Sequence, residues 1–227
     1  MSLIVNADDL GYDPAISRGI CEAHARGIVT SASVMVDTPF APEALDEAPA
    51  TLDLGLHVVL AGDGEGASVG EEIDRQVGRF RTLRGSLPTH LDSHRHRHAA
   101  PQALPAFAEA ARRWRIPLRA LDGTMGALLR ARGVAVADAF LGDASKRPCW
   151  TREALLAAVV ALPRGVVELM CHPGYAPTHV RTSFGAEREV ELAALCDPAV
   201  RLALERGAAS LVGFATAFPR CGSADAP

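Results

Sequence analysis

Four short apolar runs in this 227-residue chain each end in a side chain able to bind a metal or move a proton. Leu3-Ile4-Val5 leads through Asn6-Ala7 to Asp8-Asp9, and Leu52 to Leu56 leads to His57. Thr89 to Ser93 leads to His94, and Val166 to Cys171 leads to His172. The ends of parallel strands face one shared crevice or barrel mouth, so residues remote in sequence can converge there. One carboxylate and two imidazoles on three strand ends, with a second carboxylate beside the first, make the donor set of a metal hydrolase.

Each motif also has a plainer reading. Adjacent aspartates on a regular strand point to opposite faces. A turn through Gly11 would let Asp8 and Asp9 reach one cavity, one bound to metal and one left as a base; otherwise they cap a strand-to-helix turn. His57, inside apolar Gly55 to Leu60, reads alone as a core histidine. His94, His96 and His98 alternate, so on extended backbone they would share a face. Neutral imidazole is the commonest metal ligand, although Arg95 and Arg97 interleave as in a basic solvated loop. Asp92 could accept a hydrogen bond from a ligating imidazole, and His96 could touch substrate. Pro173-Gly174 forces a turn that would hold His172 at a rim.

Combined, Asp9, His57 and His94 offer one oxygen and two nitrogen ligands with positions open to water. That set suits one divalent cation, zinc or magnesium first. Such an ion would lower the pKa of its bound water, the nucleophile, toward about 7 and polarise a carbonyl. Asp8 would then take the water's proton and His172 would protonate a leaving amine.

Extended and helical patterns alternate behind these motifs. Strands are expected at 3–7, 28–36, 52–60, 89–93, 116–121, 134–137, 166–171 and 209–214. Helices are expected to follow Asp13-Pro14 and over 41–48, 71–83, 101–114, 123–132, 151–162 and 187–206, with a glycine-rich loop at Gly62, Gly64 and Gly66. About seven strand–helix units with short connections predict an α/β fold with a parallel sheet, closed or incomplete as a (β/α) barrel. One domain is expected over 1–218, with a loose tail at 219–227.

Hydrophobic residues make up 48% and charged ones 22%, a globular composition, and the net charge of −4 gives no general push toward nucleic acid. Five cysteines without a CxxC pair point to reduced thiols and a cytoplasmic setting. No apolar run approaches the roughly 18 residues of a membrane span. A cleaved signal would remove Asp8 and Asp9, so export is not expected. The 187–206 helix could pack on the barrel or on a second copy, as in a homodimer.

The chain resembles the YdjC/ChbG-like carbohydrate deacetylases over nearly its whole length. The similarity rests on four stretches in order: Ile4 to Gly11, Gly55 to Leu60, Pro88 to His94 and Glu168 to Pro173; Gly27 to Ser31 adds to it. The resemblance implies a distorted or incomplete (β/α) barrel that removes an N-acetyl group from an amino sugar or glycoconjugate, chito-oligosaccharide-like or glycolipid. It places the metal ligands on Asp9, His57 and His94, the base on Asp8 and the acid on His172. Arg119 matches a basic position near the site. Leu10 departs from the usual phenylalanine, and the chain is shorter than many members.

Two other readings stay open: a phosphoesterase or amidohydrolase of another barrel type, and a non-catalytic carbohydrate-binding protein. A last feature is ten arginines from Arg75 to Arg119 against only Asp92 and Glu109. They read first as helix surfaces facing water; the sharper reading is that Arg95 and Arg97 favour an anionic glycoside.

Overall fold

The computed structural model describes residues 1–61, 68–143, 145 and 147–220. The expected glycine-rich loop and residues 221–227 of the expected tail lie outside the described residues. Of that tail, Arg220 is described and donates from Nη2 to the carbonyl of Pro88.

The chain opens with β1 (Ser2–Leu10), α1 (Pro14–Arg26), β2 (Ser31–Val34), α2 (Ala41–Glu47) and β3 (Asp53–Val58). Next come α3 (Ser68–Arg84), β4 (Leu91–Ser93), a 3-10 segment (His94–Ala99), α4 (Leu104–Trp114), α5 (Gly123–Ala131) and β5 (Ala139–Leu141). It closes with α6 (Arg152–Val160), β6 (Val166–Cys171), α7 (Glu187–Leu195), α8 (Pro198–Arg206), β7 (Ser210–Leu211) and α9 (Phe214–Ala217). The sheet order is β4-β3-β2-β1-β6-β5, with β7 also against β1, and the pairings are parallel. Every residue of β1 after Ser2 is buried, as expected of a central parallel strand covered on both faces. The α1 residues Ile16, Ile20 and Ala23 bury the helix on the core.

The sheet is a curled half-barrel rather than a closed one. Between its edge strands β4 and β5 the described chain keeps three backbone bonds through residues 117–119: Leu91 N–H donates to Pro117 O, Arg119 N–H to Leu91 O, and Leu118 N–H to Ala135 O. The expected strand at 116–121 is reduced to one bridge, Leu91 with Leu118. Pro117 has no N–H to give, and proline belongs at sheet edges. The weak strand expected at 134–137 appears later, as β5. The helix expected over 187–206 is two helices, because Asp197 caps a new one with Pro198 at its first position. No helix among the described residues is long and apolar enough to cross a membrane. The helical arginines meet acids at the surface, Arg75 with Asp37 and Glu72, Arg112 with Glu109, and Arg113 with Asp74.

Two contacts hold α1 against the segment after β6. A Cβ on Gly19 would lie 2.4 Å from the Cα of Gly174, so backbone meets backbone there. Asp13 caps α1 by accepting from Ala15 N–H at 2.8 Å, and its other oxygen accepts from Thr178 and His179 N–H at 3.1 and 2.8 Å.

Gly19→Ala is expected to destabilise by about 1–3 kcal/mol and to displace the loop carrying His172; an unchanged urea midpoint would contradict the contact. Burial raises the Asp13 pKa, but the three backbone N–H donors outweigh it and hold the carboxyl below its usual value. A folded-state pKa below the unfolded one stabilises above about pH 4 and loses that contribution as pH falls through the folded value. Asp13→Ala is therefore expected to lose about 2 kcal/mol at neutral pH. Urea unfolding at neutral and acid pH should show the gap narrowing below about pH 4; a gap that widened would reverse the assignment.

Candidate active site

The C-terminal ends of β1, β3, β4 and β6 open into a cavity of about 550 Å³. Asp8, Asp9, His57, His94, His96 and His172 all line it. Asp8 and Asp9 share the cavity because β1 is irregular there. The β1–β2 register shifts between Ala7 and Leu10, and Asp9 takes a left-handed φ of 74°. The expected turn at Gly11 thus begins two residues earlier. A bulge and a positive φ re-aim side chains that a regular strand would send to opposite faces.

Asp9 Oδ1 is buried and has no hydrogen-bond partner. It lies 3.4 Å from His57 Nε2 and 3.4 Å from His94 Nδ1. Asp92 Oδ1 is 2.7 Å from His57 Nδ1. Asp92 can only accept when ionised, so Nδ1 carries a proton, and whenever the ring is neutral its Nε2 lone pair faces Asp9. An acceptor facing an acceptor calls for a positive charge between them. Metal–ligand bonds of about 2.05 Å at tetrahedral angles separate ligand atoms by about 3.3 Å. The Asp9, His57 and His94 spacing fits that figure, and Asp92 stands as the outer acceptor that fixes the imidazole.

The buried charges point the same way. Asp8, Asp9, Asp92 and Glu168 set four carboxylates against the two buried guanidiniums of Arg119 and Arg188. With the imidazoles neutral, the deficit is up to two positive charges. Burial opposes charge on His57, yet Asp92, Asp8 and Asp9 outweigh it and push its pKa up to about 9. A proton there fills part of the deficit that a divalent cation would fill whole.

Arg119 is the hub of this cluster. Nη1 and Nη2 donate to the two oxygens of Asp8 at 2.8 and 2.7 Å, Nε donates to Glu168 at 2.6 Å, and Nη2 lies 2.8 Å from Asp92 Oδ2. Burial raises the Asp8 pKa, but Arg119 more than offsets it and leaves the carboxyl below its usual value. Asp9 is held well below its usual range as well, Arg188 leading against burial, with Nη2 donating to Asp9 Oδ2 at 2.6 Å. Glu168 moves the other way, to about 7, because burial outweighs Arg119.

His172 Nε2 stands 4.0 Å from Asp8 Oδ2, and its ring packs 4.9 Å from that of Phe184. Arg95, Arg147 and Arg181 also line the cavity. The shared-face expectation for His94, His96 and His98 does not hold. Residues 94–99 wind into 3-10 turns with left-handed φ at Arg95 and His96, so the backbone is not extended. His94 reaches Asp9, and half-buried His96 lines the wall beside Phe140. His98 is fully buried against Phe107, its Nδ1 2.7 Å from Ser93 Oγ. Burial lowers His96 to about 4 and His98 to about 3, which keeps both neutral.

Sequence reasoning missed Arg188, Phe184, Ser33 and Glu191. Arg188 sits between two glutamates and gives no sign of burial. Ser33 accepts from Asn6 Nδ2 at 2.7 Å and donates to Asp92 Oδ2 at 2.7 Å, joining β1, β2 and β4 under the site. Glu168, a lone acid in the apolar run Val166 to Met170, was a legible sign of a buried cationic partner.

Arg119→Met would leave three carboxylates facing one another in the core. It is expected to cost about 3–5 kcal/mol in urea unfolding; a loss under about 1 kcal/mol would mean the cluster does not act as a buried charge network.

The model of the YdjC-like protein family matches residues 2–69 and 62–206. A carbohydrate deacetylase of Brevibacillus brevis is 36% identical over 229 residues, covering 85% of this chain and 90% of that protein. A chitooligosaccharide deacetylase of Serratia marcescens is 33% identical, covering 90% and 95%. A crystal structure from Enterococcus faecalis V583, provisionally named a cellobiose-phosphate cleavage protein, superposes with a TM-score of 0.82 at 26% identity, covering 95% of this chain and 98% of that one. On this match across most of its length, the chain belongs to the YdjC-like protein family.

Proposed function

We propose that this protein is a metal-dependent hydrolase that removes an N-acetyl group from an amino sugar or glycoconjugate. The observation that carries the reading is Asp9 Oδ1, buried, unpartnered and 3.4 Å from each of two imidazole nitrogens, with Asp8 and His172 facing each other beside it. Two relatives named as deacetylases of carbohydrate and of chitooligosaccharide supply the substrate class.

Asp9 Oδ1, His57 Nε2 and His94 Nδ1 would hold the divalent cation, zinc or magnesium. When bound, it supplies Lewis acidity that polarises the acetyl carbonyl and acidifies water. Asp8 is the base: Arg119 keeps it ionised and aims it, and it takes a proton from the attacking water. The water oxygen joins the acetyl carbon, the carbon–nitrogen bond breaks, and His172 delivers a proton to the departing amine from Nε2. Acetate and a free amino sugar result. Phe184 walls the His172 side, and Arg95, Arg147 and Arg181 make the mouth suited to an anionic sugar.

A two-metal phosphoesterase would need a second ion beside the first. The donor group in that place, Asp8 with His57 and Asp92, is filled by the Arg119 guanidinium. That contact favours the one-cation reading.

The test is acetate release from a panel of neutral and anionic N-acetylated sugars. Asp8→Asn and His172→Ala are each expected to slow turnover by at least about 10²-fold. Dialysis against a chelator should abolish it and one equivalent of cation restore it. Undiminished turnover in both variants would refute their roles.

A further inference from the structure

A second cluster of ligating side chains lies behind His172. Cys149, His172 and Glu191 each offer one donor atom, and these three atoms lie within 4.8 Å of one another. Cys149 and Glu191 are buried, and half-buried His172 stands between them and the cavity that it lines. Glu191 fixes the arrangement from α7. Its two oxygens accept Cys149 N–H at 2.9 Å and His172 N–H at 2.7 Å, which ties the segment before α6 to the end of β6. Each oxygen keeps a lone pair after that bond.

The two nitrogens of His172 face different neighbours. Nε2 looks toward Asp8 at 4.0 Å, whereas Nδ1 looks toward Cys149 Sγ at 3.9 Å. Zinc–sulfur and zinc–nitrogen bonds of about 2.3 and 2.05 Å at a tetrahedral angle separate the two donors by about 3.5 Å. A shift of a few tenths of an ångström closes the difference. The donor set also differs in kind from Asp9, His57 and His94. Sulfur favours a soft cation, while the oxygen–nitrogen set accepts hard ones.

We propose that Cys149, His172 and Glu191 form a second, inhibitory site for a thiophilic cation such as zinc, sharing no ligand with the Asp9–His57–His94 centre. Binding forms a metal–sulfur bond and releases the thiol proton to solvent. It also occupies His172 Nδ1, so the ring can no longer exist as the doubly protonated imidazolium that donates readily from Nε2. Burial together with the Glu191 carboxylate pushes the Cys149 thiol up to about 12, so ions without affinity for sulfur leave it protonated. The inhibition rests on His172 acting as the acid in deacetylation; the binding does not.

Cadmium is the probe, because a thiolate–cadmium bond gives an ultraviolet charge-transfer band that oxygen and nitrogen ligands do not. Magnesium-loaded protein titrated with cadmium is expected to develop the band with saturation at about one ion per chain. Cys149→Ser and Cys149→Ala should abolish it, Cys21→Ser should leave it, and His172→Gln should weaken binding at least tenfold; circular dichroism checks the fold of each. Acetate release by the native protein should fall as the band grows. Cys149→Ala, scaled to its own uninhibited rate, should need at least tenfold more cadmium. A band that survives both Cys149 variants, or no band at all, overturns the site; a full band with undiminished acetate release overturns the inhibition. Should no substrate release acetate even without cadmium, the deacetylase reading fails while the band still decides the site.

Discussion

An excess of buried negative charge at the strand ends is the constraint around which this molecule is arranged. Four carboxylates from β1, β4 and β6 converge on two guanidiniums. In a medium of low dielectric no such cluster persists unless every charge is matched. Arg119 matches Asp8 and Glu168 and touches Asp92, and Arg188 matches one oxygen of Asp9. The other oxygen of Asp9 is left facing two imidazoles. The field that pushes the His57 pKa up to about 9 is the field that would draw in a divalent cation.

The scaffold exists to hold these groups at fixed distances. Parallel strands bring their C-terminal ends to one side, and the β1 bulge turns Asp9 back beside Asp8. Beneath them, Asn6, Ser33 and Asp92 form a hydrogen-bonded layer that leaves little rotamer freedom. His90 extends that layer. Its Nε2 donates to Ser33 at 3.0 Å, its ring stacks 3.8 Å from Phe214, and a Cβ on Gly55 would fall within 2.4 Å of it. Burial lowers His90 to about 3, so it serves there as a neutral polar wedge. On the far side, Gly19 and Asp13 hold the His172 segment against α1.

Much of this was legible because the chemistry sits at the ends of apolar runs. Period and punctuation located β1, β3, β4 and β6, and with them Asp8, Asp9, His57, His94 and His172. The proline at 14 and the caps Asp13 and Thr151 marked helix starts that the structure keeps. What escaped reading was tertiary. Alternation at His94, His96 and His98 suggested a shared face, but backbone dihedrals set by packing wound the segment into turns. Arg188 becomes a site residue only because α7 packs over Gly174, a contact no local pattern encodes. The barrel looked closable from its count of units, yet Pro117 removes a donor where closure would need one.

The most direct measurement is anomalous X-ray diffraction from crystals grown with cobalt or zinc. One strong peak is expected at about 2.0–2.2 Å from Asp9 Oδ1, His57 Nε2 and His94 Nδ1, with Asp92 still bonded to His57 and Arg188 still on the other oxygen of Asp9. A cation bound elsewhere, with those three atoms left empty at saturating metal, would contradict the account.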